Sequence, residues 1–292
     1  MTVARIAIIG GGSIGEALLA GLLRAGRQVK DLVVSEKDQE RAKYLSEKYS
    51  VLVTSVADAA ENASFVIVAV KPSDVGPVID EIADAAAHAE SDSAEQVFVT
   101  VAAGVTTDYF EAKLPAGAPV VRVMPNAPVV VGGGVSALAP GRFATAEQLK
   151  EVASIFDAVG GVLTVAESQL DAVTALSGSG PAYFFYVVEA LIDAGVAAGL
   201  SRSVATDLVA QTMAGSAAML LERIDAVRAA EDTGLGSAID TTAAQLRATV
   251  TSPGGTTAAG LRELEKHAVR AALADAVDAA KQRSAQLGIT SG

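Results

Sequence analysis

The stretch Ile6–Leu23, "IAIIGGGSIGEALLAGLL", decides how the chain is read. It is apolar, lies near the amino terminus and follows Arg5, which fits the apolar core of an export signal, but its glycines suggest a nucleotide-binding turn. An export signal needs a basic start and an unbroken apolar run before a small-residue cleavage site. Here Gly10, Gly11, Gly12 and Gly15 break the run, and Glu16 charges it. The dinucleotide reading meets its demands in order. "RIAIIG", Arg5–Gly10, is β-branched and apolar like a buried parallel strand. Gly10, Gly12 and Gly15 fit G-x-G-x-x-G, and "EALLAGLLRAG" reads as a helix ending near Gly26. In that arrangement Gly10 permits the tight turn, Gly12 admits a pyrophosphate to the backbone, and Gly15 lets helix and strand pack closely. The helix N-terminus then faces the anion.

Composition limits what surrounds this turn. The 292 residues are 51% hydrophobic, enough for a sizeable core in one large domain or two ordinary ones. Lys plus Arg number 22 against 34 Asp plus Glu, a net charge of −12. That charge repels phosphate backbones and anionic lipid, so neither a nucleic-acid nor a membrane partner is expected. The absence of cysteine excludes disulfides and thiolate chemistry. With His88 and His267 as the two histidines, no histidine-rich metal site is expected either. Later apolar tracts are short or carry Arg, Asp, Glu or Pro, so none reads as a membrane span, and a soluble, cytoplasmic protein is expected.

Beyond the turn, β signals alternate with helical segments. Leu32–Ser35, Val51–Val53, Phe65–Val70, Gln96–Val101 and Pro119–Met124 read as strands. A further pair, Val135–Leu138 and Val162–Val165, flanks a helix beginning near Thr145. This predicts a doubly wound α/β Rossmann-like sheet over residues 1–165. After Val165 the chain is Ala-rich and helical, broken at "SGSGP" (Ser177–Pro181), "GLS" (Gly199–Ser201) and "SPGG" (Ser252–Gly255). Residues 166–292 therefore read as a second, all-helical domain. So thin a layer has little interior of its own, and burial against another copy is expected.

The end of the second strand bears on the cofactor. NAD sites usually place an acid there for the ribose hydroxyls, and NADP sites place small and basic residues for the extra phosphate. "SEKDQER", Ser35–Arg41, offers Ser35, Lys37 and Arg41 to a phosphate, which favours NADPH. Glu36 and Asp38 keep NADH as the alternative.

Familiar catalytic motifs are absent or misplaced. "YLSEK", Tyr44–Lys48, matches the YxxxK of short-chain dehydrogenases but follows the second strand, near the adenosine end. The KxxxN of β-hydroxyacid dehydrogenases does not occur, and after residue 165 the lysines are Lys266 and Lys281. Ketone reduction needs a proton donor for the developing alkoxide, usually Tyr, His or Lys. A protonated imine already carries its positive charge, so hydride arrival neutralises it, and hydroxyls and backbone amides suffice. Their richest source is "VTSPGGTTAAGLRELE", Val250–Glu265, where a Ser-Pro-Gly-Gly turn feeds a helix start whose free amides suit a carboxylate. From spacing alone, Thr256 and Thr257 are equally read as helix caps or as substrate contacts.

These motifs resemble the pyrroline-5-carboxylate reductase family over essentially the whole chain. The matching stretches are "IAIIGGGSIGEAL", "VAVKP" (Val68–Pro72), "VRVMPNAPVVVGGG" (Val121–Gly134), "DAVTALSGSGPAYFF" (Asp171–Phe185) and "VTSPGGTTAAGLRELE", the last two being the most specific. The resemblance implies a Rossmann domain followed by a helical domain through which two chains interlock, often in rings of dimers. It implies reduction of pyrroline-5-carboxylate to proline; alternatives are reduction of a related cyclic imino acid, or a catalytically silent dinucleotide sensor. Gly10, Gly12, Ser13, Ile14 and Gly15 would hold the pyrophosphate. Ala69, Val70, Lys71 and Pro72 would line the nucleotide, and Ala102, Ala103, Gly104 and Asn126 would lie near the nicotinamide. Ser252, Gly254, Gly255, Thr256 and Thr257 would form the substrate loop, with Thr257 bonding the ring nitrogen, and Asp240 falls near the family's acidic residue by spacing. One departure is "KHAVR", Lys266–Arg270, where the family usually has a glycine-containing turn.

Overall fold

A computed structural model describes residues 4–61, 63–88, 96–232 and 241–288. Among the described residues eight strands form one sheet: β1 (Ile6–Ile9), β2 (Leu32–Ser35), β3 (Leu52–Thr54), β4 (Phe65–Val68), β5 (Val97–Thr100), β6 (Val120–Met124), β7 (Gly134–Pro140) and β8 (Gly160–Thr164). The helices between them are α1 (Ser13–Arg24), α2 (Gln39–Tyr49), α3 (Val56–Ala60), α4 (Val75–His88), α5 (Thr107–Glu111) and α6 (Ala146–Asp157). Strand order is β3-β2-β1-β4-β5-β6-β7-β8, parallel except where β6 meets β7. The doubly wound sheet expected from the sequence is thus present, and β7 and β8 form the expected late pair, parallel to each other.

Alternation along each strand feeds two cores. Ile6 and Ile8 face one side with Leu18, Leu22, Val152 and Phe156 from α1 and α6. Ala7 and Ile9 face the other with Ile79, Ile82 and Phe110 from α4 and α5. Burial on both faces is why these strands read as continuous apolar runs rather than alternating ones. A capping box at Thr145 and Gln148 starts α6, where the sequence places it.

Past the sheet come α7 (Leu170–Val173), a π-helical turn (Thr174–Gly178), α8 (Gly180–Ala197), α9 (Arg202–Asp232), α10 (Thr242–Thr249), α11 (Thr256–Lys266) and α12 (Val269–Leu287). Compact packing divides the chain differently from a cut at 165/166. One unit runs to Pro181 and resumes at Val277; the other is Ala182–Ala276. The first unit retains the segment after β8 because Leu170 packs on Ala137 and Ala139 of β7. Glu167 also accepts from Thr107 N (2.8 Å) and Thr107 Oγ1 (2.6 Å) and pairs with the buried Arg122 at 3.2 Å. The end of α12 belongs there too, with Ser284 donating to Asp171 at 2.7 Å.

The second unit buries little. Phe184, Phe185, Tyr186, Leu191, Leu208 and Met219 are exposed. Stretches 167–197 and 202–229 are long and apolar enough to cross a membrane by length and composition, which the sequence reading did not anticipate, because it weighed only their scattered charges.

Candidate active site

In the first unit the glycine turn leaves β1 at Gly10, whose φ is +106° and whose N–H donates to Ser35 O at 2.8 Å. A Cβ there would stand 2.7 Å from Ala69 O, so the turn requires glycine on both counts. Gly15 packs against Gly10 O with no room for a side chain. Gly12 holds the cap position of α1 without a side-chain cap bond. The first amides of the helix, including those of Ser13, Ile14 and Gly15, therefore have no intrahelical partner and suit an anion.

A cleft of about 400 Å³ opens beside this turn. Gly10 and Gly12 form one wall, Ser35, Glu36 and Lys37 line it from the end of β2, and Thr54 and Ser55 from the end of β3. Ala69, Val70, Lys71 and Asp74 close it from the end of β4, while Pro72 opens the short 3₁₀ turn Pro72–Asp74. Glu36 is fixed by two backbone amides: Gly11 N donates at 2.8 Å and Asp38 N at 2.9 Å. Lys37 Nζ bridges the cleft to Asp74 Oδ2 at 2.8 Å. The sequence reading did not single out Asp74, Thr54 or Ser55. Their signal was positional, since residues just past the carboxyl ends of parallel strands line the ligand crevice.

Arg41 stands apart from the cleft. Its Nε donates to Gly11 O at 2.8 Å, and its guanidinium pairs with Glu16. Tyr49 and Lys48 also donate to Glu16, at 2.8 and 3.0 Å. Burial acts to raise the Glu16 pKa, but hydrogen bonds from Lys48, Tyr49 and Arg41 outweigh it and hold the carboxyl at about 2. Tyr44 and Lys48, the misplaced YxxxK pair, meet each other and Glu16 here.

One strand beyond β4, Ala102 is buried after β5, and its N–H donates to Thr100 Oγ1 at 3.2 Å. Ala103 follows, and a Cβ on Gly104 would stand 2.9 Å from Leu287 O. Asn126, just after β6, is held from two sides: its Oδ1 accepts from Val135 N at 2.9 Å, and its Nδ2 donates to Ser177 O at 3.4 Å. Ser177 lies in the π-helical turn, a geometry frequent at functional sites. Nothing in the spacing of "TALSG" distinguishes a π turn from an α turn.

In the second unit, Ser252–Gly255 form a turn closed by Gly255 N donating to Ser252 O at 3.0 Å. Pro253 in its second position and Gly254 at φ +71° in its third give it type II geometry. Gly255 occupies the cap of α11 with no side-chain cap bond. Capping is therefore not the role of either threonine: Thr256 and Thr257 are the first two helical residues, and both are exposed. Gly255's amide is committed to the turn, so fewer amides are left free to receive an anion than the sequence suggested. They are the amides of Gly254 and of the first helical residues. Asp240 lies outside the described residues.

No cluster of three or more metal-ligating side chains occurs among the described residues. A mostly parallel sheet with a glycine turn and a cleft beside it, joined in one chain to a helical unit with an anion-ready helix start, fits the class of nicotinamide-dinucleotide oxidoreductases. Residues 5–104 match a family described as NADP oxidoreductase coenzyme F420-dependent, and residues 167–287 match pyrroline-5-carboxylate reductase dimerisation. The chain is 71% identical to pyrroline-5-carboxylate reductase of Mycobacterium tuberculosis and 69% to that of Mycobacterium leprae, covering 98% and 99% of each chain. Its fold superposes on a Coxiella burnetii pyrroline-5-carboxylate reductase with TM-score 0.86 at 33% identity, covering 98% of this chain and 99% of that one. A Plasmodium falciparum pyrroline carboxylate reductase with NADP bound gives TM-score 0.79 at 28% identity, covering 99% and 100%. The chain belongs to the pyrroline-5-carboxylate reductase family: it is an NAD(P)H-dependent oxidoreductase acting on a carbon–nitrogen double bond, in proline biosynthesis. Its helical region matches a dimerisation domain, which makes the protein a homo-oligomer, and α8 and α9 carry exposed apolar side chains.

Proposed function

We propose that the chain reduces 1-pyrroline-5-carboxylate to L-proline with its chemistry carried by the Ser252–Thr257 loop. The hydride leaves the nicotinamide of NAD(P)H and forms the new bond at the imine carbon. The C=N π electrons pass to the ring nitrogen, whose positive charge is neutralised. Thr257's hydroxyl hydrogen-bonds that nitrogen. The amides of Gly254 and of the α11 start, with the Ser252 hydroxyl, hold the carboxylate, while Thr256 shapes the same turn; Asp240 is assigned to the substrate side by the family resemblance alone. The observation that carries this reading is the helix start itself: a type II turn, a glycine in the cap position and two exposed hydroxyls that cap nothing.

On the nucleotide side, Gly10, Gly12, Ser13, Ile14 and Gly15 hold the pyrophosphate. Ser35, Lys37, Ala69, Val70, Lys71 and Pro72 surround the adenosine half, and Ala102, Ala103, Gly104 and Asn126 surround the nicotinamide. Arg41 supports the glycine turn from behind. NADPH is the favoured cofactor, NADH the alternative. We further infer a cytoplasmic enzyme that assembles as a ring of dimers and engages neither nucleic acid nor membrane, in keeping with its net charge of −12.

The direct test is oxidation of NADPH and of NADH by the purified protein, with and without pyrroline-5-carboxylate. Substrate-dependent oxidation with proline as product supports the reading. Turnover only with a different cyclic imine, or none with either cofactor, contradicts it. Light scattering of the same preparation reads the assembly.

A further inference from the structure

The two cations that the sequence offers to a 2′-phosphate each already have a carboxylate. Arg41 is paired with Glu16. Lys37 meets Asp74 at 2.8 Å across the mouth of the cleft, from the end of β2 to the turn after β4. Glu36 adds a carboxylate to the cleft lining, held in place by Gly11 N and Asp38 N, and Lys71 and Glu81 complete the charged lining. An acid at this position accepts from ribose hydroxyls, and a cation there is what distinguishes a phosphorylated ribose. Lys37 and Asp74 also strengthen each other's charged forms: the hydrogen bond to Asp74 raises the Lys37 pKa, and the same bond lowers that of Asp74.

We propose that Asp74 is a specificity-determining residue, which lowers the preference for NADPH over NADH by holding the Lys37 ammonium that the 2′-phosphate must recruit. The argument rests on the assignment of this cleft to the adenosine half of the cofactor. A 2′-phosphate entering the cleft meets Lys37 already bridged to the far lip, and it also meets the negative charge of Asp74. NADH, with a ribose hydroxyl at that point, needs neither to be displaced. Since the pair is exposed, with Lys37 80% and Asp74 34% accessible, the competition is modest in size and screened by salt.

The test is a binding cycle on the intact protein, reading NADPH and NADH fluorescence for the wild type, Lys37→Ala, Asp74→Asn and the double variant. Asp74→Asn raises the ratio of NADPH to NADH affinity by about 1.5-fold to fivefold, the scale of an exposed ion pair. Lys37→Ala lowers that ratio, and Asp74→Asn made in the Lys37→Ala background changes it by much less. If Lys37→Ala lowers the ratio while Asp74→Asn leaves it unmoved, the proposal for Asp74 is wrong and the cleft assignment stands. If neither substitution moves the ratio, the assignment of the cleft fails, and the proposal with it.

Discussion

Arg41 directs its guanidinium to Glu16 and its Nε–H to Gly11 O at 2.8 Å, so a side chain from α2 and one from the first turn of α1 clasp the glycine loop from behind. The sequence offers Arg41 as a reader of the 2′-phosphate. In the folded chain its partners are the loop's own backbone and a carboxylate that Lys48 and Tyr49 share.

The first expected outcome follows from that clasp. Arg41→Ala removes charge-assisted bonds worth about 1.5 to 3 kcal/mol each from the support of a loop that both cofactors use. The Michaelis constants for NADPH and NADH should rise together, by about tenfold, and the melting temperature should fall. A loss confined to NADPH would show that Arg41 leaves Glu16 to meet the phosphate.

Acid sensitivity has a definite window. The Glu16 carboxyl is held at about 2, below the ordinary 4.5. A depressed folded-state pKa contributes stability that is complete above the unfolded value and is lost as pH falls from about 4.5 through about 2. Glu16→Gln should destabilise the protein near neutral pH by about 1 to 3 kcal/mol and flatten the fall in stability across that window. Denaturant melts at pH 6, 4 and 3 measure it. An unchanged acid limb in Glu16→Gln would refute the assignment.

Much of this architecture was legible because its causes are local. Strands buried on both faces appear as apolar runs, and the start of α6 was read near Thr145. Gly10, Gly12 and Gly15 sit where strand, turn and helix meet in sequence. What was illegible depends on partners far along the chain. Arg41 and Glu16 are 25 residues apart, Thr107 and Glu167 are 60, and no periodicity connects them. The reversal at β7 turns on the short link from Met124 to Gly134, which folds as a 3₁₀ turn with no room for a crossover helix. The stretch from Ser252 into α11 was read correctly as turn and helix start, but the cap fell on Gly255, one residue before the threonines.

The departure at "KHAVR" has a structural cost that can be measured. Between α11 and α12, Ala268 takes φ +53°, the left-handed conformation that disfavours a Cβ. The carbonyls of Glu263 and Glu265 accept from His267 N and Ala268 N around it. Ala268→Gly should stabilise the protein by about 1 kcal/mol without altering turnover. A lower melting temperature would mean that the glycine's greater unfolded-state freedom outweighs the relieved strain.

Single-turnover and steady-state rates for Thr257→Ala, Thr257→Ser and Thr256→Ala at saturating NADPH test most directly the proposed action of the Thr257 hydroxyl on the imine nitrogen. Thr256 is the internal control, since both threonines open α11 behind the same uncapped glycine and both are exposed. A lost transition-state hydrogen bond lowers kcat by about tenfold to a hundredfold. Thr257→Ala should therefore slow the chemical step by that amount with nucleotide affinity little changed. Thr257→Ser should recover most of the rate, and Thr256→Ala should lose less than Thr257→Ala. A Thr257→Ala enzyme that turns over at the wild-type rate, or a Thr257→Ser enzyme as slow as the alanine variant, would contradict the account.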